Sequence, residues 1–541
     1  MKNPGILSFW VFLLPILASA QVNFTGSNLP VFVITTPDPI PNEPKIEGHL
    51  GVIWHEDGTT NLLSDDFNHY DGEIGIEIRG ASSQFFDKKS YSFETRHADL
   101  SNRNVPLLGL PEENDWVLHG PFSDKSLMRN AVIYSLAGWF MEYAPRVRFC
   151  EVVLNNDYKG VYVLTEKIKR DKNRVPISKL TPDETTGDAL TGGYILKIDK
   201  TEGGANDGWV SGYPPQPDAW QETLFLYHYP KPDEIAPEQA AYIRDFVDDF
   251  ELVLKSPNYA DPVKGYEKFI DKQSFIDFLI INEIGRNVDG YRLSTFMYKD
   301  RDSKGGKLKM GPVWDFNLAL GNANYCDGGQ THGWAFDFNS VCPEDFWIIH
   351  FWWERLLQDP AFYLAAEQRW RQLRQSILSD ERIFQFIDSL KIMLSAPAGR
   401  NFQRWDILDE YIWPNNFVGG SFNSEVEYLK TWLQARLNWL DSNFHKIGRP
   451  LFEPQNYFDP KAYPNPFSET VTFEYYVRET ERIEIQIFNA IGQQIAVLKD
   501  ADHLNGANSL KLDTRGLANG VYFYAVWKNG KRISEGKVVK S

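Results

Sequence analysis

The chain changes hydrophobic period once, and that single change constrains its architecture more than any other feature. Up to about residue 230 apolar residues alternate with polar ones. GEIGIEIRG, KKSYSFET and the pair RVRFCEVVL and DYKGVYVLTEKI, joined by an Asn/Asp turn, all carry the two-residue period of strands. From PEQAAYIRDFVDDFELVLKS onward the period is helical. QSFIDFLIINEIG is an apolar helix, and the Trp-rich stretch from PEDFWIIHFWWERLL to WLDSNFHKIG is mostly helical. One exception interrupts it: STFMYKD and KLKMGPVWDF read as a hairpin around DRDSKGGK. Strands first and helices later predict an α+β domain of two lobes with a cleft between them.

Two further boundaries follow from composition. Residues 1–20 join Lys2 to the apolar run ILSFWVFLLPILA and the small residues Ala18-Ser19-Ala20, the pattern of a signal peptide cleaved before Gln21. The run is short for a spanning helix and no later stretch qualifies, so no transmembrane segment is expected in the mature chain. At 449–462 the chain turns rich in Pro and Asn and reads as a linker. Beyond it, short alternating segments separated by turn residues predict a small all-β sandwich over 463–541. The domain between runs over 30–448.

A net charge of −17 argues against nucleic acid and anionic lipid as partners, since both need a basic face. The three cysteines show no metal-ligand spacing. Cys326 and Cys342 can close a disulfide in an oxidising compartment, and Cys150, inside an apolar strand, reads as a buried thiol. His119, His332 and His350 are scattered and read as structural.

The central domain carries the parts that phosphoryl transfer needs, in a suitable order. Such a site requires backbone amides near phosphates, a Lys to neutralise charge, and carboxylates that hold Mg²⁺ and orient a hydroxyl. Gly80, Ser82 and Ser83 lie in a turn between two strands, and Lys88 and Lys89 open the second strand. Only one of those lysines can face a cleft, because successive strand residues face opposite sides. Asp289 follows an apolar helix. Asp315 follows a strand and sits between Trp314 and Phe316, a costly place for an unpaired carboxylate. Each element alone has a plain structural reading: a hairpin turn, a solvated face, an Asp capping a helix through NLALGN.

The motifs RGASSQFFDKKSYSFET, ENDWVLHGPFSDKSLMRNAVIYSLA, YKGVYVLTEKIKRDKNRV, GGYILKID, NVDGY and KMGPVWDFNLALGN, taken in order, resemble the CotH kinase family. The resemblance implies a divergent protein-kinase-like fold that uses ATP with Mg²⁺ or Mn²⁺ to phosphorylate Ser on protein substrates. It implies that Asp315 holds metal and that Asp289 is the catalytic-loop acid. The turn Arg79-Gly80-Ala81-Ser82-Ser83 would cover phosphates, Lys88 or Lys89 would neutralise them, Glu166 and Lys167 would stand at the hinge, and Arg129 and Asn130 on a helix beside the cleft. The chain departs from ordinary kinases at Ser294, where they carry a metal-binding Asn, and at Asn317, where they carry Gly; Asn317 or Asn287 can instead offer a carbonyl oxygen to metal.

The segments YPNPFSETVTFEY, IFNAIGQQI, LANGVYFYAV and KVVKS resemble the C-terminal sorting domain of the type IX secretion system. That resemblance implies export across an outer membrane, with the secretion machinery as a partner and the protein secreted or held at the cell surface. The leading expectation is therefore an exported atypical protein serine kinase acting on an unknown protein. Its rival is a catalytically weak kinase-like surface or adhesion protein.

Overall fold

A computed structural model describes residues 22–201, 207–448, 461–477, 482–499, 506–528 and 530–541. The expected signal peptide and residues 449–460 of the expected linker lie outside them. The chain divides into two compact units, Met1–Ile447 and Gly448–Ser541.

The alternating half of the first unit closes on itself. Strands β1 (Val31–Thr35), β2 (Ile46–Ile53), β3 (Tyr70–Arg79), β4 (Ser90–Thr95), β5 (Asp115–His119), β6 (Val147–Leu154) and β7 (Asp157–Glu166) form a barrel in the order β1-β2-β3-β4-β5-β7-β6. Neighbours are antiparallel except at the seam, where β1 runs parallel to β6 with Val31 opposite Glu151. The period-2 pairs Phe32/Ile34, Leu50/Val52, Ile74/Ile76, Trp116/Leu118, Cys150/Val152 and Tyr162/Leu164 fill the interior. Asn155 and Asn156, both with positive φ, make the tight turn between β6 and β7. Cys150 is buried, and burial pushes its thiol pKa up. The alternation predicted β3, β4, β6 and β7; β1 and β2 fall in a Pro-rich stretch and β5 in a segment that reads as a loop, and the closure left no local signal because the seam joins segments more than a hundred residues apart.

A second sheet is antiparallel throughout. It holds β8 (Tyr194–Ile198), β9 (Gly208–Val210), β10 (Leu224–Tyr229), β11 (Thr295–Lys299) and β12 (Leu308–Met310) in the order β9-β10-β8-β11-β12. The β11–β12 pair is the hairpin expected from the sequence. Around these sheets stand α1 (Arg129–Gly138), α2 (Pro237–Lys255), α3 (Lys272–Gly285), α4 (Trp352–Leu357), α5 (Pro360–Arg374), α6 (Asp380–Arg404) and α7 (Phe422–Asn443). Helix α3 is buried from Phe275 to Gly285 and starts at Asp271, whose carboxylate accepts the Ser274 amide. Helix α1 begins at Arg129, whose amide donates to the Asp124 carboxylate at 2.8 Å.

Helix α6 seals one side of the barrel. Lys88 is buried, and its ammonium donates to the carbonyls of Val161 (2.6 Å) and Pro121 (3.4 Å) and to Asn401 Oδ1 (2.7 Å). The same Asn401 oxygen accepts the Val161 amide at 3.1 Å. Gly160 has φ +93°, and a Cβ there would lie 2.4 Å from that oxygen. His350 is also structural, held between Thr223 and the buried Glu251.

In the second unit, β13 (Lys461–Tyr463), β14 (Thr470–Val477) and β17 (Gly506–Asp513) form one sheet. A second holds β15 (Ile483–Phe488), β16 (Gln494–Lys499), β18 (Gly520–Lys528) and β19 (Lys531–Lys540). Val471 and Phe473 from the first and Ile485, Ile487 and Val526 from the second share a core.

Replacing Asn401 with Ala leaves a buried ammonium and a buried amide short of an acceptor; equilibrium unfolding should show a loss of about 1–3 kcal/mol. Acid should also destabilise the domain. Desolvation lowers His119 and His228 from 6.5 to about 4. Between those values the unfolded chain binds protons that the native state does not, so stability falls as pH drops from 6.5 toward 4. Melting curves across that range should flatten in His119→Gln, His228→Gln.

Candidate functional site

The β11–β12 hairpin places two carboxylates at one end of the second sheet. Asp289 lies in the segment that leads into β11, and Asp315 in the segment that leaves β12. Ile198, the last residue of β8, pairs with Thr295, the first of β11, so Asp199 and Lys200 emerge at the same end.

The two acidic segments are bonded to each other. Asn287 Nδ2 donates to the Asp315 carbonyl at 3.1 Å, and Asn287 Oδ1 accepts the Asp289 amide at 3.3 Å. From the other side α1 grips the segment after β12. The Tyr134 hydroxyl accepts the Asp315 amide (2.9 Å), Asn130 Oδ1 accepts the Phe316 amide (2.7 Å), and Arg129 Nε donates to the Ala319 carbonyl (3.2 Å). These bonds hold Asp315 in the left-handed region, φ +62°, which a non-glycine residue occupies only when its surroundings fix it. No helix follows Asp315; residues 317–322 are turns, so it does not act as a helix cap.

Asp315 is open to solvent, yet dense protein around it pushes its carboxyl up to about 6, burial contributing most and the charge of Asp289 next. Burial also raises Asp289, opposed by Arg292 and Lys200. Cations stand nearby. Arg79 lies over the Trp314 ring at 5.2 Å, and Lys200 over the Trp347 ring at 5.8 Å. Arg292 Nη2 reaches Asp289 at 3.2 Å.

Of the residues singled out in the sequence, the structure groups Asp289, Asp315 and Arg79; the Asn317 carbonyl accepts from Asn322. Gly80, with φ +102°, and Ser82 and Ser83 in a short 3-10 turn continue directly from Arg79. Others have different partners. Lys88 faces α6 and the barrel wall. Lys89 donates to the carbonyls of Gln84 and Phe86 in its own turn. Glu166 is fully buried and accepts a fork from Arg146 (2.8 and 2.7 Å), the Arg146 amide and the Tyr143 hydroxyl. Burial lowers the pKa of Lys167, which sits 3.8 Å from Asp115. Sequence reasoning missed Asp199, Lys200, Arg292 and Tyr134. Asp199 ends GGYILKID as Asp315 ends GPVWD, a carboxylate just past a strand, and could have been found on that ground; Tyr134 carries no local signal.

Among the described residues no cluster of three or more His, Cys, Asp and Glu forms a metal cage. The donors that are present, two carboxylates with the amide side chains of Asn287 and Asn317 close in sequence, are hard oxygens. They suit a Mg²⁺-type ion, which takes one or two carboxylates and completes its shell with water and phosphate.

Residues 76–440 match a family described as CotH kinase protein, and residues 461–541 match the secretion system C-terminal sorting domain. The second match marks the chain for type IX export to the outer surface or the medium. No helix among the described residues is long and apolar enough to cross a membrane. No curated protein matches the chain. One solved structure, Pseudomonas fluorescens alkylpurine DNA glycosylase AlkC bound to DNA containing an abasic site analog, is 10% identical with a TM-score of 0.13. It covers 38% of this chain, which spans 64% of its length, and at that score it carries no argument.

Mn²⁺ should raise the melting temperature of the parent chain by a few degrees and leave Asp315→Asn unmoved. Without metal, Asp315→Asn should melt no lower than the parent, because the substitution removes repulsion from Asp289.

Proposed function

Because the chain belongs to the CotH kinase family, we propose that it is an exported phosphotransferase that moves the γ-phosphoryl group of ATP to a serine hydroxyl of a secreted or surface protein. The observation that carries the reading is the Asn287 bridge, which fixes Asp289 and Asp315 at the two ends of one hairpin.

In this reading the barrel with its β3–β4 turn is one lobe, and the second sheet with its helices is the other. Asp315, with Asn317 or Asn287, holds Mg²⁺ or Mn²⁺; Asp289 is either a second ligand or, where it stays off the metal, the base. A bound ion supplies charge neutralisation on the transferring phosphates. Arg79 and Lys200 stand beside the carboxylates as further positive charge, and the amides of Gly80, Ser82 and Ser83 offer donors to phosphate oxygens. Asp289 orients the serine hydroxyl and accepts its proton; a carboxyl raised by burial is better suited to that step than an exposed one.

A second reading has its own support. Lys88, Lys89 and Glu166 are all engaged in structural bonds, which favours a kinase-like surface protein without catalysis.

Incubation of the mature chain with γ-labelled ATP, Mg²⁺ or Mn²⁺ and a Ser-rich acceptor separates the two. Label transfer should fall on the order of 10²–10⁴-fold in Asp289→Ala and Asp315→Ala. A parent chain that transfers no label, and that nucleotide does not stabilise, would be the surface protein.

A further inference from the structure

The segment holding Asp289 is gripped at one end from within a disulfide-bonded loop and at the other from the residues just after it. Cys326 and Cys342 are bonded, 16 positions apart, with their Cα atoms 5.6 Å apart. Next to Cys326, the Asp327 carbonyl accepts Arg286 Nε at 3.1 Å, and Gly328 lies so close to Val288 that a Cβ would come within 2.7 Å of it. At the other end Cys342 leads into Asp345. Arg292, 3% exposed, donates to Asp345 Oδ1 (2.9 Å) and the Trp347 carbonyl (2.7 Å) and lies over the Phe338 ring at 4.1 Å. Its remaining donors reach the Val288 carbonyl (2.7 Å) and Asp289 Oδ1 (3.2 Å).

We propose that Arg292 is a positioning residue for Asp289 and that the Cys326–Cys342 disulfide sets its place, so that the site is completed only after the chain enters an oxidising compartment. The catalytic part of this inference rests on the phosphotransferase reading. Arg286 and Arg292 bracket Asp289, and their partners flank the two cysteines. The bond between those cysteines therefore fixes the separation of the two anchors. Without it, Asp345 and Asp327 are joined only through the intervening loop. Formation is balanced: the two thiols give up two protons and two electrons to a small-molecule disulfide, which leaves as two thiols. A chain still in a reducing cytoplasm would carry the carboxylates without the clasp.

The test uses the mature chain, oxidised with a glutathione disulfide or reduced with dithiothreitol, beside Cys326→Ser, Arg292→Met and Arg292→Lys. Hydrogen exchange should speed up across 286–292 on reduction and stay unchanged across Tyr158–Glu166. The turnover number should fall on the order of 10²-fold in the reduced, Cys326→Ser and Arg292→Met chains, with little change in KM for ATP. Arg292→Lys, which keeps the charge without the planar fork, should recover part of it. Exchange that rises only within 326–342, or equal turnover in oxidised and reduced chains, overturns the proposal. If the parent transfers no phosphate, the phosphotransferase reading falls and the exchange result alone decides the clasp.

Discussion

The buried pair Glu283–Arg436 holds the helical half of the first unit to its site. Both side chains are wholly inside the protein. The Glu283 carboxylate accepts the amides of Ala335 (2.8 Å) and Phe336 (2.9 Å), the Tyr291 hydroxyl (3.0 Å) and Arg436 Nη2 (3.0 Å). Arg436 also donates to the carbonyls of Glu283 and Gly333. Burial pushes Glu283 up and Arg436 down to about 9, and the ring of donors compensates the desolvated charge. One ion pair thus joins the central helix α3, the last helix α7, the disulfide loop and the segment that carries Asp289. Loss of either partner would strand the other charge in the interior, a cost of about 3–5 kcal/mol.

The pair of acids is built on that frame by topology more than by any single strong contact. An antiparallel hairpin returns to the end where it began, so residues before its first strand and after its second meet. Asn287 and α1 convert that meeting into fixed geometry. The arrangement keeps two acids within electrostatic reach of each other, Asp289 half-buried and Asp315 open to solvent, a configuration that favours a cation between or beside them. The positive side chains around them come from three separate segments: Arg79 from the barrel, Lys200 after β8, and Arg292 within the acidic segment itself.

Local signals in the sequence were enough for β3, β4, β6, β7 and the β11–β12 hairpin, but not for β5, whose flanking Gly and Pro made it read as a loop. Alternation at Ile74/Ile76 and Cys150/Val152 is a property of short stretches, and so is a carboxylate that follows a strand. Closure of the barrel was not legible, since the pairing of Val31 with Glu151 leaves no mark near either residue. The lysines show the same limit from another side. KKSY reads as two cations opening a strand, but β4 begins at Ser90 and both lysines precede it; only the packing of α6, more than three hundred residues later, decides that Lys88 turns to Asn401. Cys326 and Cys342 could be paired on spacing and compartment, but what their bond encloses depends on Arg286 and Arg292, which look like surface charges in the sequence.

The bond between Lys88 and Asn401 spans 313 positions. During synthesis, Lys88 leaves the ribosome long before the helix that completes the bonding of its buried ammonium. Until α6 arrives, Lys88 must keep its water, which works against sealing the barrel wall.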